Sequence, residues 1–307
     1  MSKKFPLITV LGPTAVGKTT FAANLAIELD AEILSADSRQ VYRGMDIGTG
    51  KDMADYTVNG ITVASHLIDI AEPGTEYNVF QFQRDFESAR ISIIERNKTP
   101  LMCGGTGMYL EAVLKGYNFV EAPFDTELRT ELSGYKEEEL VAMLNNSRNV
   151  HNTTDILDRE RLFRALEIEK YRLQKKSIPN ENIFQNTPVL GIRFDRKIIR
   201  QRITARLMQR LDEGMVEEVQ QLINSGISKD RLKMYGLEYK YIAMFLDDEV
   251  NYNQMVTLLN TAIHQFAKRQ MTWFRRMENS GVKITWLEGE NGLQLNLIKA
   301  IDYIKKY

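Results

Sequence analysis

Residues 12–19 read Gly12-Pro13-Thr14-Ala15-Val16-Gly17-Lys18-Thr19. The apolar run Leu7-Ile8-Thr9-Val10 comes before them and predicts a buried strand, while Thr20 to Leu29 predicts a helix. Strand, glycine loop and helix, in that order, are the setting of a phosphate-binding loop. Its backbone N–H groups turn inward around an anion, and the helix N-terminus adds its positive end. Lys18 is placed to reach a terminal phosphate, and the Thr19 hydroxyl to sit on Mg²⁺. The stretch therefore predicts a di- or triphosphate site in an α/β fold. The loop alone does not say which phosphate is held, or what is done with it.

Outward from this loop the pattern alternates. Residues 31–37 read as a strand ending at Asp37, and 61–69 as another strand. Asn78, with Gln81 three positions on, is a capping-box signature for a helix running to about Asn97. Pro100 to Cys103 predicts a further strand, followed by the glycine turn Gly104-Gly105-Thr106-Gly107 and a helix from about Met108. Repeated β-α units predict a parallel sheet with helices on both faces, and ligands in such sheets sit at the carboxyl ends of strands. The phosphate loop, Asp37 and Thr106 all fall at such ends.

After about Gly116 the composition changes. Residues 125–176 are charged and mostly helical in period, and 177–182 reads as a linker. Residues 188–194 read as a strand returning to the sheet, with helical periods over 196–224, 238–247 and 251–277. The expected organisation is a P-loop NTPase-like parallel sheet flanked by helices, residues 1–118 and 186–307, with a small helical insertion over 119–185.

The chain has 307 residues, 43% of them hydrophobic, enough for a packed core. Its net charge of −1 conceals an uneven distribution: Arg148 to Arg210 holds 15 Lys/Arg against 7 Asp/Glu. That basic middle fits either a polyanion contact or a solvated helix face. No apolar run approaches the ~18 residues of a membrane span. The N-terminus enters the first strand directly, which points away from a signal peptide and towards the cytoplasm. The single cysteine, Cys103, lies in an apolar run and cannot build a disulfide framework. His66, His151 and His264 stand in unrelated contexts and are assigned to no metal.

Two jobs fit Asp37 beside a phosphate loop: holding Mg²⁺ indirectly, or taking a proton from an attacking nucleophile. A turn-forming aspartate is the plainer alternative. Arg161 and Arg164 share a helix face, suited either to a phosphodiester backbone or to neighbouring glutamates. The stretch from Gln265 to Arg276 mixes basic and aromatic residues, which suits nucleic acid, although aromatics at this spacing also suit a core.

As a set, the motifs resemble the tRNA dimethylallyltransferases, also called tRNA isopentenyltransferases. The resemblance rests on residues 12–19, on Ser-Ala-Asp-Ser-x-Gln-Val-Tyr-x-Gly-Met-Asp-Ile-Gly-Thr at 35–49, and on His-Leu-Ile-Asp at 66–69. It continues through Gly-Gly-Thr-Gly-Met-Tyr-Leu at 104–110, Arg-Leu-Phe-Arg-Ala-Leu-Glu at 161–167 and Ala-Lys-Arg-Gln-Met-Thr-Trp-Phe-Arg at 267–275. It spans nearly the whole chain, and the 35–49 and 267–275 stretches are its most specific parts.

The resemblance implies transfer of a dimethylallyl group from dimethylallyl diphosphate to the N6 amine of adenosine 37, in a tRNA anticodon stem-loop, with Mg²⁺ as cofactor. It implies that Asp37 is the general base and that Thr106 lies at the reaction centre. Gly12, Thr14, Ala15, Val16, Gly17, Lys18 and Thr19 are then the diphosphate cradle, with Thr19 towards the metal. The tRNA contacts it implies are Asp37, Ser38, Arg39, Gln40, Arg129, Glu160, Arg161, Arg164 and Lys233; Lys268 and Arg269, on the basic-aromatic helix, are expected to join them on their own charge. The expected state is a cytoplasmic monomer.

The chain departs from the family pattern at three places. Ser65 stands for the first of two histidines, Gly236-Leu237-Glu238-Tyr239-Lys240 replaces the usual Gly-Tyr-Lys-Glu, and the proline-containing stretch between Leu140 and Asp158 is not recognisable. The second departure exchanges a tRNA-facing cation for Glu238, with Lys233 or Lys240 as replacement charges. Two rival activities remain on sequence grounds: prenylation of a free adenine nucleotide, and a P-loop nucleotide kinase or RNA-binding protein.

Overall fold

The computed structural model describes residues 5–117, 122–147, 159–175, 184 and 186–307. The chain divides into two compact units, Met1–Gly116 with Asn182–Tyr307, and Tyr117–Glu181. The expected linker at 177–182 and His151 lie outside the described residues, as does most of the stretch between Leu140 and Asp158.

In the larger unit β1 (Ile8–Leu11) leads through the phosphate loop into α1 (Lys18–Leu29), and β2 (Ala31–Ala36) ends immediately before Asp37. The expected strand over 61–69 is split. Asn59 and Gly60 both take positive φ, 50° and 79°, and turn β3 (Thr57–Val58) back on β4 (Ile61–Thr62) as a hairpin. Only β5 (Ser65–His66) joins the main sheet. The helix α2 (Val79–Glu95) opens on the Asn78–Gln81 capping box, with both reciprocal bonds formed. Then come β6 (Thr99–Gly104) and α3 (Gly107–Leu114).

Among the described residues of the smaller unit, α4 (Thr126–Ser133), α5 (Glu137–Ser147) and α6 (Arg159–Lys175) close around Leu132, Leu140, Leu144, Leu162 and Leu166.

The larger unit resumes with β7 (Val189–Arg193). The expected helix over 196–224 is broken at Gly214, φ 96°, into α7 (Arg196–Asp212) and α8 (Met215–Asn224). After α9 (Lys229–Leu232), α10 (Leu237–Leu246) and the 28-residue α11 (Tyr252–Asn279) comes a strand the sequence pattern did not reveal, β8 (Thr285–Glu288), and then α12 (Leu293–Lys306).

The six strands are ordered β5-β2-β6-β1-β7-β8, every neighbouring pair parallel. Side chains alternate between its faces. Ile8, Val10, Ile33, Leu101 and Leu190 enter one core with α1 and α12; Leu7, Leu11, Leu34 and Met102 enter a second with α2, α3 and α11. Burial on both faces explains why these strands read as continuous apolar runs. A third core, among α7, α8, α10 and α11, takes in Ala15 of the phosphate loop and Val41, Tyr42 and Met45 of the segment after β2. The sheet therefore fixes where the site loops begin, and the helical layer fixes where they lie.

Candidate active site

Strand register brings the site together. Leu11 and Ala36 both pair with Gly104, so the segments starting at Gly12, Asp37 and Gly105 leave the sheet side by side at its carboxyl edge. In the phosphate loop Gly17 has φ 79°, a left-handed conformation that L side chains resist, and it serves as N-cap of α1 without any side-chain cap. The N–H groups of that helix end are thus left for an anion. Val16 is buried in the first core and offers the site its backbone alone.

Lys18 Nζ donates 2.8 Å to the carbonyl of Pro13. Its desolvation lowers its pKa to about 8, against the opposing field of the Asp37 carboxylate. Lys18, Thr19, Asp37 and Thr14 line one polar cavity, of about 50 Å³. Cys103 also faces it, and burial pushes its thiol up to about 12, so it is no nucleophile near neutral pH.

Asp37 Oδ1 accepts from the backbone N–H of Arg39 at 3.1 Å. Thr106 Oγ1 accepts from the N–H of Ser38 at 3.0 Å, and the Thr106 N–H donates to Ala36 O at 3.2 Å. The two loops are thereby tied to each other at the residues flanking Asp37. Gln40 is buried on the wall of the same cavity: its amide accepts from Ser35 Oγ at 3.0 Å and donates to Gly50 O at 3.1 Å, bracing the segment after β2.

Glu238 is not the outward-facing charge that the sequence suggested. It turns inward and forms a 2.8 Å ion pair with Arg39. Lys233 is paired with Glu249 at 2.8 Å, and the exposed Lys240 lies over the Tyr241 ring. The Arg39 guanidinium also stacks on Phe266, 5.0 Å from the ring centroid, and Arg269 approaches the same ring at 5.9 Å. The aromatics of α11 divide accordingly. Phe274 is fully buried, Trp273 packs against Gly107, and Phe266 lines the cavity.

Several residues of the site escaped the sequence reading. Arg202 Nε donates to Ala15 O at 2.8 Å and so holds the phosphate loop from outside. Arg206 and Arg210, which line the cavity, share Asp52 at 2.5 and 3.4 Å. Their spacing of four on α7 was the available signal, since it puts all three on one face. Gln270, on α11, touches both glycine loops.

On the other side of Pro13 an open cleft of about 1080 Å³ runs between α7, α11 and the ends of β7 and β8. Arg196, Arg200, Lys268 and Arg275 line it together with Phe194 and Trp286. Basic and aromatic residues in a groove suit phosphates and stacked bases.

In the smaller unit Arg129, Glu160 and Arg164 lie in one network of ion pairs centred on Glu167. Arg129 pairs with Glu160 at 2.7 Å and Glu167 at 2.6 Å, and Arg164 pairs with Glu167 at 3.0 Å. Arg161 is exposed on α6.

A model of the IPP transferase family matches residues 40–277. The chain belongs to this family. The match starts at Gln40, inside the most specific of the motifs, and ends beyond the basic-aromatic segment of α11. Relatives of the IPP transferase family extend the similarity across the phosphate loop. The tRNA dimethylallyltransferase 2 of Bacteroides fragilis is 50% identical over 302 residues, 98% of this chain and 97% of its own. The tRNA dimethylallyltransferase 1 of Parabacteroides distasonis is 51% identical over 288 residues, 93% of each chain. The full-length tRNA isopentenylpyrophosphate transferase of Bacillus halodurans has the same fold, with a TM-score of 0.72 at 30% identity over 99% of this chain and 96% of that one.

Proposed function

We propose that this protein transfers a dimethylallyl group from dimethylallyl diphosphate to the N6 amine of adenosine 37 in a tRNA anticodon stem-loop, releasing diphosphate. The observation that carries the reading is that a phosphate-loop cation, Lys18, and a carboxylate, Asp37, face one polar cavity in a chain whose family transfers prenyl groups.

The chemistry follows from these positions. An adenine amine is a poor nucleophile, so a base must take its proton as the new bond forms. In this mechanism N6 attacks the allylic carbon, a C–N bond forms, the C–O bond to diphosphate breaks, and the N6 proton passes to the Asp37 carboxylate. Charge gathers on the departing diphosphate, where the Lys18 ammonium and the loop N–H groups stabilise it. Thr106, bonded to the N–H of Ser38, is assigned to the reaction centre between acceptor and diphosphate. The target base must leave the stack to enter the cavity.

The residues present fit Mg²⁺. It needs few protein oxygens, because it keeps waters and takes phosphate oxygens, and Thr19, whose hydroxyl would hold it, lines the same cavity. Among the described residues no cluster of His, Cys, Asp and Glu offers a stand-alone metal site. When bound, Mg²⁺ neutralises charge on the diphosphate.

Lys268 and Arg269, with the basic cleft beside them, are assigned to the RNA, as are Ser38, Arg39 and Arg161. Lys18 and Asp37 come from one chain, so a monomer suffices, and the reaction belongs in the cytoplasm with tRNA. Among the described residues no helix is long and apolar enough to cross a membrane. The test is labelled dimethylallyl diphosphate offered with Mg²⁺ to a stem-loop carrying adenosine 37, with and without that adenosine. Incorporation that ignores its removal would refute the assignment.

A further inference from the structure

Gln270 is 7% exposed and spans the space between the two glycine loops. Its Oε1 accepts from the Thr14 N–H at 2.9 Å, and its Nε2 donates to the Gly105 carbonyl at 2.8 Å. The loops come from β1 and β6, and the residue that joins them comes from α11, over 160 residues further along the chain. We propose that Gln270 is a positioning residue for the transfer reaction, holding the phosphate loop and the Gly105–Thr106 loop in one register. This rests on the activity proposed above.

The chemistry of the site selects this side chain. Thr14 presents a donor and Gly105 an acceptor, so the bridge needs one acceptor and one donor on a single short group. A flipped amide would set donor against donor and acceptor against acceptor, so the network fixes its orientation. An ionised glutamate meets Thr14 but turns lone pairs towards the Gly105 carbonyl. A methionine of similar length meets neither and leaves two backbone groups unpaired in the interior. The glycine is part of the same device. A Cβ at position 105 would lie 2.6 Å from Gln270 Nε2 and 3.6 Å from Lys18 Nζ, so the amide reaches this loop only because position 105 carries no side chain.

What the bridge controls lies on either side of it. Towards β1 it holds Thr14, four residues before Lys18 in the same loop. Towards β6 it holds Gly105, and the next residue, Thr106, grips the N–H of Ser38 at 3.0 Å, directly after Asp37. A continuous path thus runs from the phosphate loop through Gln270, Gly105, Thr106 and Ser38 to the base. A displacement near 1 Å between groups that must meet the two ends of a substrate costs about 10²-fold in rate. Loss of the bridge therefore appears in kcat and in diphosphate binding, while RNA affinity is spared.

The test uses the full chain carrying Gln270→Met or Gln270→Glu, each first checked for wild-type circular dichroism and melting. Inorganic pyrophosphate with Mg²⁺ is titrated calorimetrically, and kcat and KM are measured for dimethylallyl diphosphate and for the stem-loop. Gln270→Met is expected to lower kcat about 10²-fold and to weaken pyrophosphate about tenfold, with the stem-loop KM unchanged. Gln270→Glu is expected to recover relative to wild type as pH falls, because a protonated carboxyl again offers Gly105 a donor. An undiminished kcat in folded Gln270→Met, a loss confined to the stem-loop KM, or a Gln270→Glu ratio flat with pH would each overturn the proposal. If no variant, wild type included, transfers prenyl to RNA while pyrophosphate binding still weakens in Gln270→Met, the bridge stands and the assigned activity falls.

Discussion

Arg39 and Glu238, 199 residues apart in sequence, meet at 2.8 Å on the wall of the cavity, with side chains only 19% and 8% exposed. Burial works against the guanidinium charge. The carboxylates of Glu238 and Asp37 outweigh it, and the pKa of Arg39 lies above the ordinary arginine value. Each partner is needed because the other is present. Glu238→Gln is expected to destabilise the fold by about 3 kcal/mol by stranding the arginine charge. Adding Arg39→Met should return part of that loss. Urea denaturation of the two single variants and the double variant measures the coupling, and strictly additive losses would contradict the pairing.

Asp37 is the residue on which proton removal rests. Asp37→Ala is expected to lower turnover by about 10²–10⁴-fold and to leave pyrophosphate binding close to wild type. Calorimetry beside a single-turnover assay separates the two effects. Loss of binding together with turnover would make Asp37 part of the diphosphate site instead.

Lys18 sets a limit at the alkaline side. With its pKa at about 8, the ammonium is charged at neutral pH and loses its proton as pH rises through that value. A bound diphosphate favours the charged form, so binding takes up protons and affinity must fall above about pH 8. Lys18→Arg, which does not titrate in that range, should remove the decline. A wild-type affinity that stays level from pH 7 to 9.5 would contradict this.

Glu167 anchors the small helical unit. Its side chain is fully buried and receives Arg129, Arg164 and the Asp125 N–H. Burial alone would raise its pKa, but the two guanidinium groups hold it below the ordinary carboxylate value. A depressed carboxylate contributes stability that is present above its unfolded pKa, about 4.3, and is lost as pH falls towards the depressed value. Hydrogen exchange of α4 and α6 should therefore quicken in acid. Glu167→Gln should exchange faster at neutral pH, with a loss of about 3 kcal/mol, and show little further acid dependence. Unchanged protection in that variant would remove Glu167 from this role.

The parts of the fold that the sequence disclosed are those written locally. The phosphate loop lies between a strand and a helix, Asp37 closes β2, and the Asn78–Gln81 box opens α2, each within a few residues of chain. What escaped depends on partners distant in sequence. β8 is four residues long, too short for a periodic signal, and exists because Leu190 to Arg193 lie beside it. The strand expected over 61–69 failed because a positive-φ turn at Asn59-Gly60 claims its first residues. At the site, the spacing of the α7 arginines gave a shared face but not its partners, and Glu238 looked like a surface departure until the fold set it against Arg39. The reach of Arg129 on α4 to Glu167 on α6 was likewise not legible in one dimension.

The most direct measurement offers labelled dimethylallyl diphosphate and Mg²⁺ to an anticodon stem-loop with adenosines at 36, 37 and 38, in competition with AMP. The proposed function predicts label in the stem-loop alone, at adenosine 37. Label in AMP would make the protein a free-nucleotide prenyltransferase, and label in neither would contradict prenyl transfer to adenine altogether.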